Sequence, residues 1–275
     1  MTGPSAVTSK PMLYVTCLGG IVWREALRFV YQRARFVAAL VRPLIWLLIF
    51  AAGFRSILGL SIIPPYATYI TYETYIVPGL IGMIQLFNGM QTSLALVYDR
   101  EMGSMRILLT SPLPRWYLLL CKLLAGTLIS LFQVYAFLAV AELVLVDLPP
   151  LGLVLIAPAL IVSGLMLGAL GMVLSSTIRE LENFAGIMNF VIFPMLFLSS
   201  ALYPLWKVRE SSDLIYTLCT LNPFTYAVEL IRFTLYLEPN PLALGVVAAC
   251  FVAFFALAVF GYDPKKGSIR RRAAG

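Results

Sequence analysis

The chain has 275 residues; 61% are hydrophobic, 12% are charged, and the net charge is +7 with a mean hydropathy of +0.91. Soluble domains carry about 25% charged residues, and too little polar surface remains here to cover a globule. A free soluble enzyme, a disordered chain, a collagen and a coiled coil are excluded, which leaves an integral membrane protein with several spans. There is no histidine, so the commonest general base and metal ligand are missing. Cys17, Cys121, Cys219 and Cys250 are far apart without a CxxC, and read as small apolar packing residues.

The first element is N-terminal. Residues 12–23 are apolar enough for a short signal core, but one preceding lysine, no A-x-A site and the arginines that follow predict that it is retained. Residues 20–37 read as an amphipathic helix. Arg24, Arg28 and Arg35 fall within about 40° of one another at 100° per residue. Trp23, Leu27, Val30, Ala34 and Val37 form the opposite stripe, although Arg33 sits at its edge. Such a helix lies at a membrane interface with its arginines toward lipid phosphates, or else simply extends the first span.

Six apolar stretches follow, at 36–55, 76–97, 118–146, 151–178, 184–206 and 241–262. Each is long enough to cross a hydrocarbon core of about 30 Å. Arg42 interrupts the first and is expected to snorkel to the head groups. Six spans put both termini on one side. With the N-terminus inside, 16 of the 20 lysines and arginines fall on the inner side or its flanks, and only Arg55, Lys207, Arg209 and Arg232 do not. The positive-inside rule therefore predicts N-in, C-in.

Two polar segments stand out. After the second span comes YDREMGSMRILLTSPLPRWYLLLCK, residues 98–122. Asp99, Arg100 and Glu101 end the span; Met102, Met105, Leu108 and Leu109 recur at roughly helical spacing before the breaker run at 111–114. A short helix with one apolar face and nothing in its own loop to bury against wants a partner protein or the membrane interface. The segment before the last span is too apolar for a free loop and is interrupted at Asn222-Pro223. Two short helices are predicted, 213–221 and 223–237, dipping into the outer leaflet and returning. Glu229 and Arg232 are three apart and can pair, either to guard an outer exit or only to neutralise each other.

These segments resemble the permease subunits of type-2 ABC exporters, nearest the daunorubicin-resistance and nodulation-factor export branch. The likeness rests on the 98–122 segment, on LYPLW at 202–206 and on LNPFTYAVELIR at 221–232, in that order among six spans. It implies an all-α membrane protein, one permease domain over 1–275. An interface helix would occupy 20–37, with Trp23, Arg24, Arg28 and Arg35. A cytoplasmic coupling segment would occupy 99–114, where Asp99, Arg100, Glu101, Met105, Arg106 and Leu109 meet the ATPase. An outer re-entrant pair at 207–240 would form a gate with Asn222, Pro223, Tyr226, Glu229 and Arg232. The implied assembly is two permeases, expected to be identical, with two ABC ATPase subunits in a bacterial inner membrane, without nucleic acid.

The sequence independently requires a separate motor. A phosphate-binding loop needs G-x-x-x-x-G-K-[ST], and no lysine here is followed by Ser or Thr. No catalytic, cofactor or metal residue is expected in this chain; ATP and Mg belong to the partner ATPase. Gly164, Gly168 and Gly171 give the fourth span a small-residue face, read as a possible seam between permeases. Glu142 is the main acid of the spans, and Gln85, Asn88, Gln91, Gln133, Asn183 and Asn189 add polar points. With abundant aromatics and methionines, this suits an amphipathic, lipid-linked or drug-like cargo, although packing explains most of those side chains. An ion-coupled secondary transporter and a non-transporting scaffold are the alternatives. The first would want midplane carboxylates; a membrane enzyme finds no motif.

Overall fold

The computed structural model describes residues 10–31, 33–54, 64–66, 70–102, 113–144, 146–178 and 180–262. Among them are ten helices: α1 (Lys10–Tyr31), α2 (Arg33–Phe54), α3 (Tyr72–Glu101), α4 (Arg115–Val144), α5 (Pro150–Thr177), α6 (Leu181–Phe197), α7 (Leu205–Ser211), α8 (Asp213–Leu221), α9 (Pro223–Leu235) and α10 (Pro241–Gly261). Helix is the expected outcome for apolar runs in lipid, because every backbone N–H and C=O is then satisfied within the segment.

Four of the helices, α3, α4, α5 and α10, are long and apolar enough to cross a membrane. Helices α8 and α9 are bent by 75° to each other and make a fifth such unit if counted together. The first and fifth expected stretches give shorter apolar helices, Phe36–Phe50 within α2 and Leu181–Phe197. At 30 residues each, α3 and α4 run to about 45 Å, longer than a hydrocarbon core, so they tilt or project from it.

Helix α3 is central and packs on α2, α4, α5, α6 and α9. It is the least apolar of the four long helices and the most buried, whereas α10 is the most apolar and the least buried. That inversion fits a lipid solvent: the outer helix needs only hydrocarbon, and polar side chains are kept where protein can bond them.

Three expectations change. The fifth stretch does not run to residue 206. Pro194 lies in the last turn of α6, the helix stops at Phe197, and a buried non-helical turn follows at 198–203. The amphipathic segment 20–37 is divided between α1 and α2, and α1 begins earlier because Leu13, Tyr14, Cys17, Leu18 and Ile21 pack on the first turns of α4. The glycine face of α5 lies inside the subunit. A Cβ on Gly168 would come within 2.5 Å of Leu123, one on Gly171 within 2.5 Å of Ser93, and one on Gly164 within 3.0 Å of Thr127. Those glycines let α3 and α4 approach α5, so the face is not free to be a seam between permeases.

Candidate functional site

At the end of α3, Asp99, Arg100 and Glu101 each bind a different neighbour. Asp99 is buried. It accepts a short charge-assisted hydrogen bond from Lys122 Nζ of α4, while Arg24 and Arg28 of α1 stand 3.9 and 3.8 Å from its oxygens. Glu25 lies between the two arginines, 2.9 Å from Arg24 and 3.6 Å from Arg28. Among the described residues two carboxylates therefore face three cations, which is how a charge survives burial.

Arg100 donates to the carbonyls of Ser175 and Ile178 at the C-terminal end of α5 and lies 5.2 Å from the ring centre of Tyr262, which follows α10. A cation there satisfies orphan carbonyls and meets the negative end of the helix dipole. The Tyr262 hydroxyl is 2.6 Å from Ser175 Oγ. Glu101 Oε1 accepts from the backbone N–H of Leu181 at 3.1 Å, so it caps the start of α6 from another helix. Three consecutive residues thus gather the ends of α1, α4, α5, α6 and α10. Met105, Arg106 and Leu109, and most of the 99–114 segment, lie outside the described residues.

On α1, Arg24 is exposed and Arg28 half-buried, and both come within ion-pair distance of Asp99. Trp23, Leu27 and Val30 are exposed, as a stripe facing lipid would be. Met12 and Val15 are exposed as well. The Arg35 side chain lies outside the described residues.

At the opposite end the buried turn 198–203 is held by side chains from α3, from α9 and from Asn222 between α8 and α9. Tyr72 donates to the carbonyl of Leu202 at 2.5 Å and Tyr75 to that of Ser200 at 3.0 Å. Arg232 donates to the same Ser200 carbonyl at 2.8 Å, pairs with Glu229 at 2.5 Å, and lies 4.2 Å over the ring of Tyr75. Asn222 Nδ2 donates to the carbonyls of Met195 and Leu198 at 2.8 and 2.6 Å, and its Oδ1 caps α9 by accepting from Phe224 N–H at 3.0 Å. Pro223 opens α9, where its missing N–H costs nothing. Tyr226 is half-buried on α9 against the main core. Tyr66 packs edge-on to Tyr236 at 4.6 Å, and burial pushes its phenol up to about 12, so it stays a neutral hydroxyl. This is the condition for irregular backbone at membrane depth: its polar groups are covered and bonded by protein.

Midway along the bundle a polar layer crosses α3, α4 and α5. Ser163 donates to Gln85 Oε1 at 2.7 Å, Gln85 Nε2 donates to the Leu160 carbonyl at 2.7 Å, and Asn88 Nδ2 donates to the Gly126 carbonyl at 2.9 Å. Among the aromatic and methionine side chains of the spans, Phe87 and Met188 line clefts, Phe137 is core, and Phe132 and Phe190 are exposed. Glu142 is exposed on α4. Among the described residues no group of three or more acidic or thiol side chains is placed to hold a metal ion.

Sequence reasoning missed Lys122 as the partner of Asp99, the tyrosines that hold the 198–203 turn, and Gly79. A Cβ on Gly79 would strike the carbonyl of Ala201. The signals were present but ambiguous: a lysine near a span end reads as topogenic, and tyrosines near a span start read as an interfacial belt.

The family described as ABC-2 type transporter matches residues 16–236 of this chain. The chain belongs to that family. It is 29% identical over 215 residues to the transport permease ycf38 of Porphyra purpurea, covering 77% of this chain and 69% of that protein. It is 27% identical over 237 residues to ycf38 of Cyanophora paradoxa, covering 83% and 77%. Against the multidrug ABC transporter permease YbhR of Escherichia coli K12 it is 28% identical over 170 residues, covering 61% and 45%. As an ABC-2 permease the chain is a multi-pass membrane subunit of an ABC transporter, and membership implies ABC ATPase subunits as partners. That selects the ABC reading over an ion-coupled secondary transporter.

Proposed function

We propose that this ABC-2 permease is half of the membrane part of an exporter that moves an amphipathic, lipid-linked or drug-like substrate across a bacterial inner membrane. Two copies pair with two ATPase subunits, which bind ATP and Mg. The chain crosses the bilayer six times with both termini inside, which puts the Asp99 end in the cytoplasm and the Arg232 end outside. Residues 20–37 lie at the inner interface, 99–114 meet the ATPase through Asp99, Arg100, Glu101, Met105, Arg106 and Leu109, and 207–240 form the outer gate with Asn222, Pro223, Tyr226, Glu229 and Arg232.

The observation that carries this reading is the junction at Asp99, Arg100 and Glu101. It stands where the coupling segment begins, and its bonds reach five other helices. A displacement delivered there by an ATPase moves packed helices as rigid bodies rather than bending one loop. Asp99 and Arg100 act as the transmitting side chains, and the apolar residues beyond them as the docking surface.

The test is purification of a tagged copy from native membranes, with mass spectrometry of what copurifies and an ATPase assay. A stoichiometric P-loop ATPase, lost when residues 99–109 are altered, is the expected result. A detergent-stable permease with no ATPase would defeat the reading.

A further inference from the structure

Arg42 is exposed on the surface of α2. It sits in the middle third of α2, and its guanidinium lies 4.0 Å over the ring of Phe87. Phe87 is near the middle of the 30-residue α3. An arginine at that depth is costly and belongs where it meets protein, water or a ligand. Among the described residues Arg42 has no carboxylate partner in a salt bridge.

The cleft it lines, between α2, α3 and α4, also holds Gln133. The Gln133 side chain is only 1% exposed, and both its Nε2 and Oε1 lack a hydrogen-bond partner. A buried amide with a donor and an acceptor unused is costly unless something fills the site. Met83, Ile84 and Phe87 supply the apolar wall. A second, open cleft begins at Arg28, Tyr98 and Leu181 at the Asp99 end and runs past Met188; Gln91 lines both clefts. One arginine therefore lines each cleft, with Leu94, Ala95 and Met188 along the open one.

From this geometry we infer that the Arg42–Gln133 cleft is a binding site for the head group of an anionic amphiphile. The anion faces the Arg42 guanidinium and accepts from Gln133 Nε2, a hydroxyl of the same head group donates to Gln133 Oε1, and the acyl or alkyl chain lies along Ala38, Ala39 and Phe87. Monoalkyl phosphates have this chemistry. The inference deepens the exporter reading by giving its cargo a charge, and rests on that reading only for calling the ligand cargo.

The experiment uses the full-length chain in nanodiscs of phosphatidylcholine. Binding of dodecyl phosphate and of dodecyltrimethylammonium is followed by isothermal titration and by fluorescence, with Trp46 one turn beyond Arg42 on α2. Saturable binding of dodecyl phosphate is expected, at least tenfold tighter than the cation. Arg42→Gln and Gln133→Leu should each weaken it at least tenfold, Arg42→Lys less, and Arg209→Gln, exposed on α7, not at all. Competition by phosphatidylglycerol built into the discs would support the site with a bilayer lipid as the source of the anion; its failure to compete would support a separate single-chain cargo. Inorganic phosphate binding as tightly as dodecyl phosphate, equal binding of the two amphiphiles, or full binding by a folded Arg42→Gln protein would each overturn the inference. Because no ATPase is present, binding without a copurifying ATPase would leave this site standing and remove the exporter reading, and the reverse pattern would do the opposite.

Discussion

Asn222 divides one side chain between two jobs. Its carbonyl oxygen caps α9, and its amide nitrogen holds the carbonyls of Met195 and Leu198 at the end of α6. Asn222→Asp keeps a good cap but sets an acceptor against two acceptors. If capping alone mattered, Asp would be neutral and Ala would cost about 1 kcal/mol. We expect Asp to destabilise by about 2 kcal/mol, at least as much as Ala, measured by thermal unfolding of the purified permease. Gly79 is the other decisive single residue. Its missing Cβ lets α3 lie against the Ala201 backbone, and backbone cannot swing aside as a leucine tip can. Gly79→Ala should cost about 1–3 kcal/mol, whereas Gly245→Ala in α10, where a Cβ meets nothing within 4 Å, should be neutral or slightly stabilising. Equal melting of the two variants would mean that the close approach contributes nothing.

Among the elements, α1 is held to the bundle by both an apolar and an ionic contact. Tyr117 of α4 donates to the Tyr14 carbonyl at 2.7 Å, with the two rings edge-on at 4.7 Å, while Arg24 and Arg28 reach Asp99. Lys122→Met removes the hydrogen-bonded cation from the buried Asp99 carboxylate, and we expect a loss of about 3 kcal/mol or more. Lys122→Met with Asp99→Asn should recover part of that loss, because the uncompensated charge goes too. A double-mutant cycle showing no coupling would remove the pair from the account. For α5 the expectation concerns folding. Gly168→Leu drives a side chain into Leu123 of the same subunit, so the yield and melting temperature of the single permease should fall. A variant that folds normally and only fails to dimerise would restore the seam between permeases.

For the molecule as a whole, the arrangement of polar contacts defines two ends, one at Asp99 and one at Arg232, separated by the midplane layer. The proposed topology puts Met102, exposed after α3, on the inner side and Arg209, exposed on α7, on the outer side. With the four native cysteines replaced, Arg209→Cys should react with an impermeant maleimide in intact cells, and Met102→Cys only after permeabilisation. The opposite pattern would reverse the orientation. At the same scale, Glu101→Ala removes the cap on α6 and should lower ATP-driven transport more than membrane expression. Equal losses would reduce Glu101 to a folding residue.

Much of this architecture was readable from composition and spacing. Long apolar runs can only be helices in lipid, so the helical class and four of the long spans followed directly. The break at Asn222-Pro223 also emerged where expected, because proline restricts its predecessor and suits a helix start. The end of α6 was not readable in the same way. Pro194 is compatible with a continuing helix, and the stop at Phe197 depends on Tyr72, Tyr75, Asn222 and Arg232 being present to bond the turn that follows. Nor does a linear pattern say which neighbour a polar side chain meets. Arg24 and Arg28 satisfy a lipid interface on a helical wheel as well as they satisfy Asp99, and the α5 glycines suit an outer seam as well as an inner one. Periodicity assigns a residue to a face, but only packing decides whether that face meets lipid, a second copy or the chain itself.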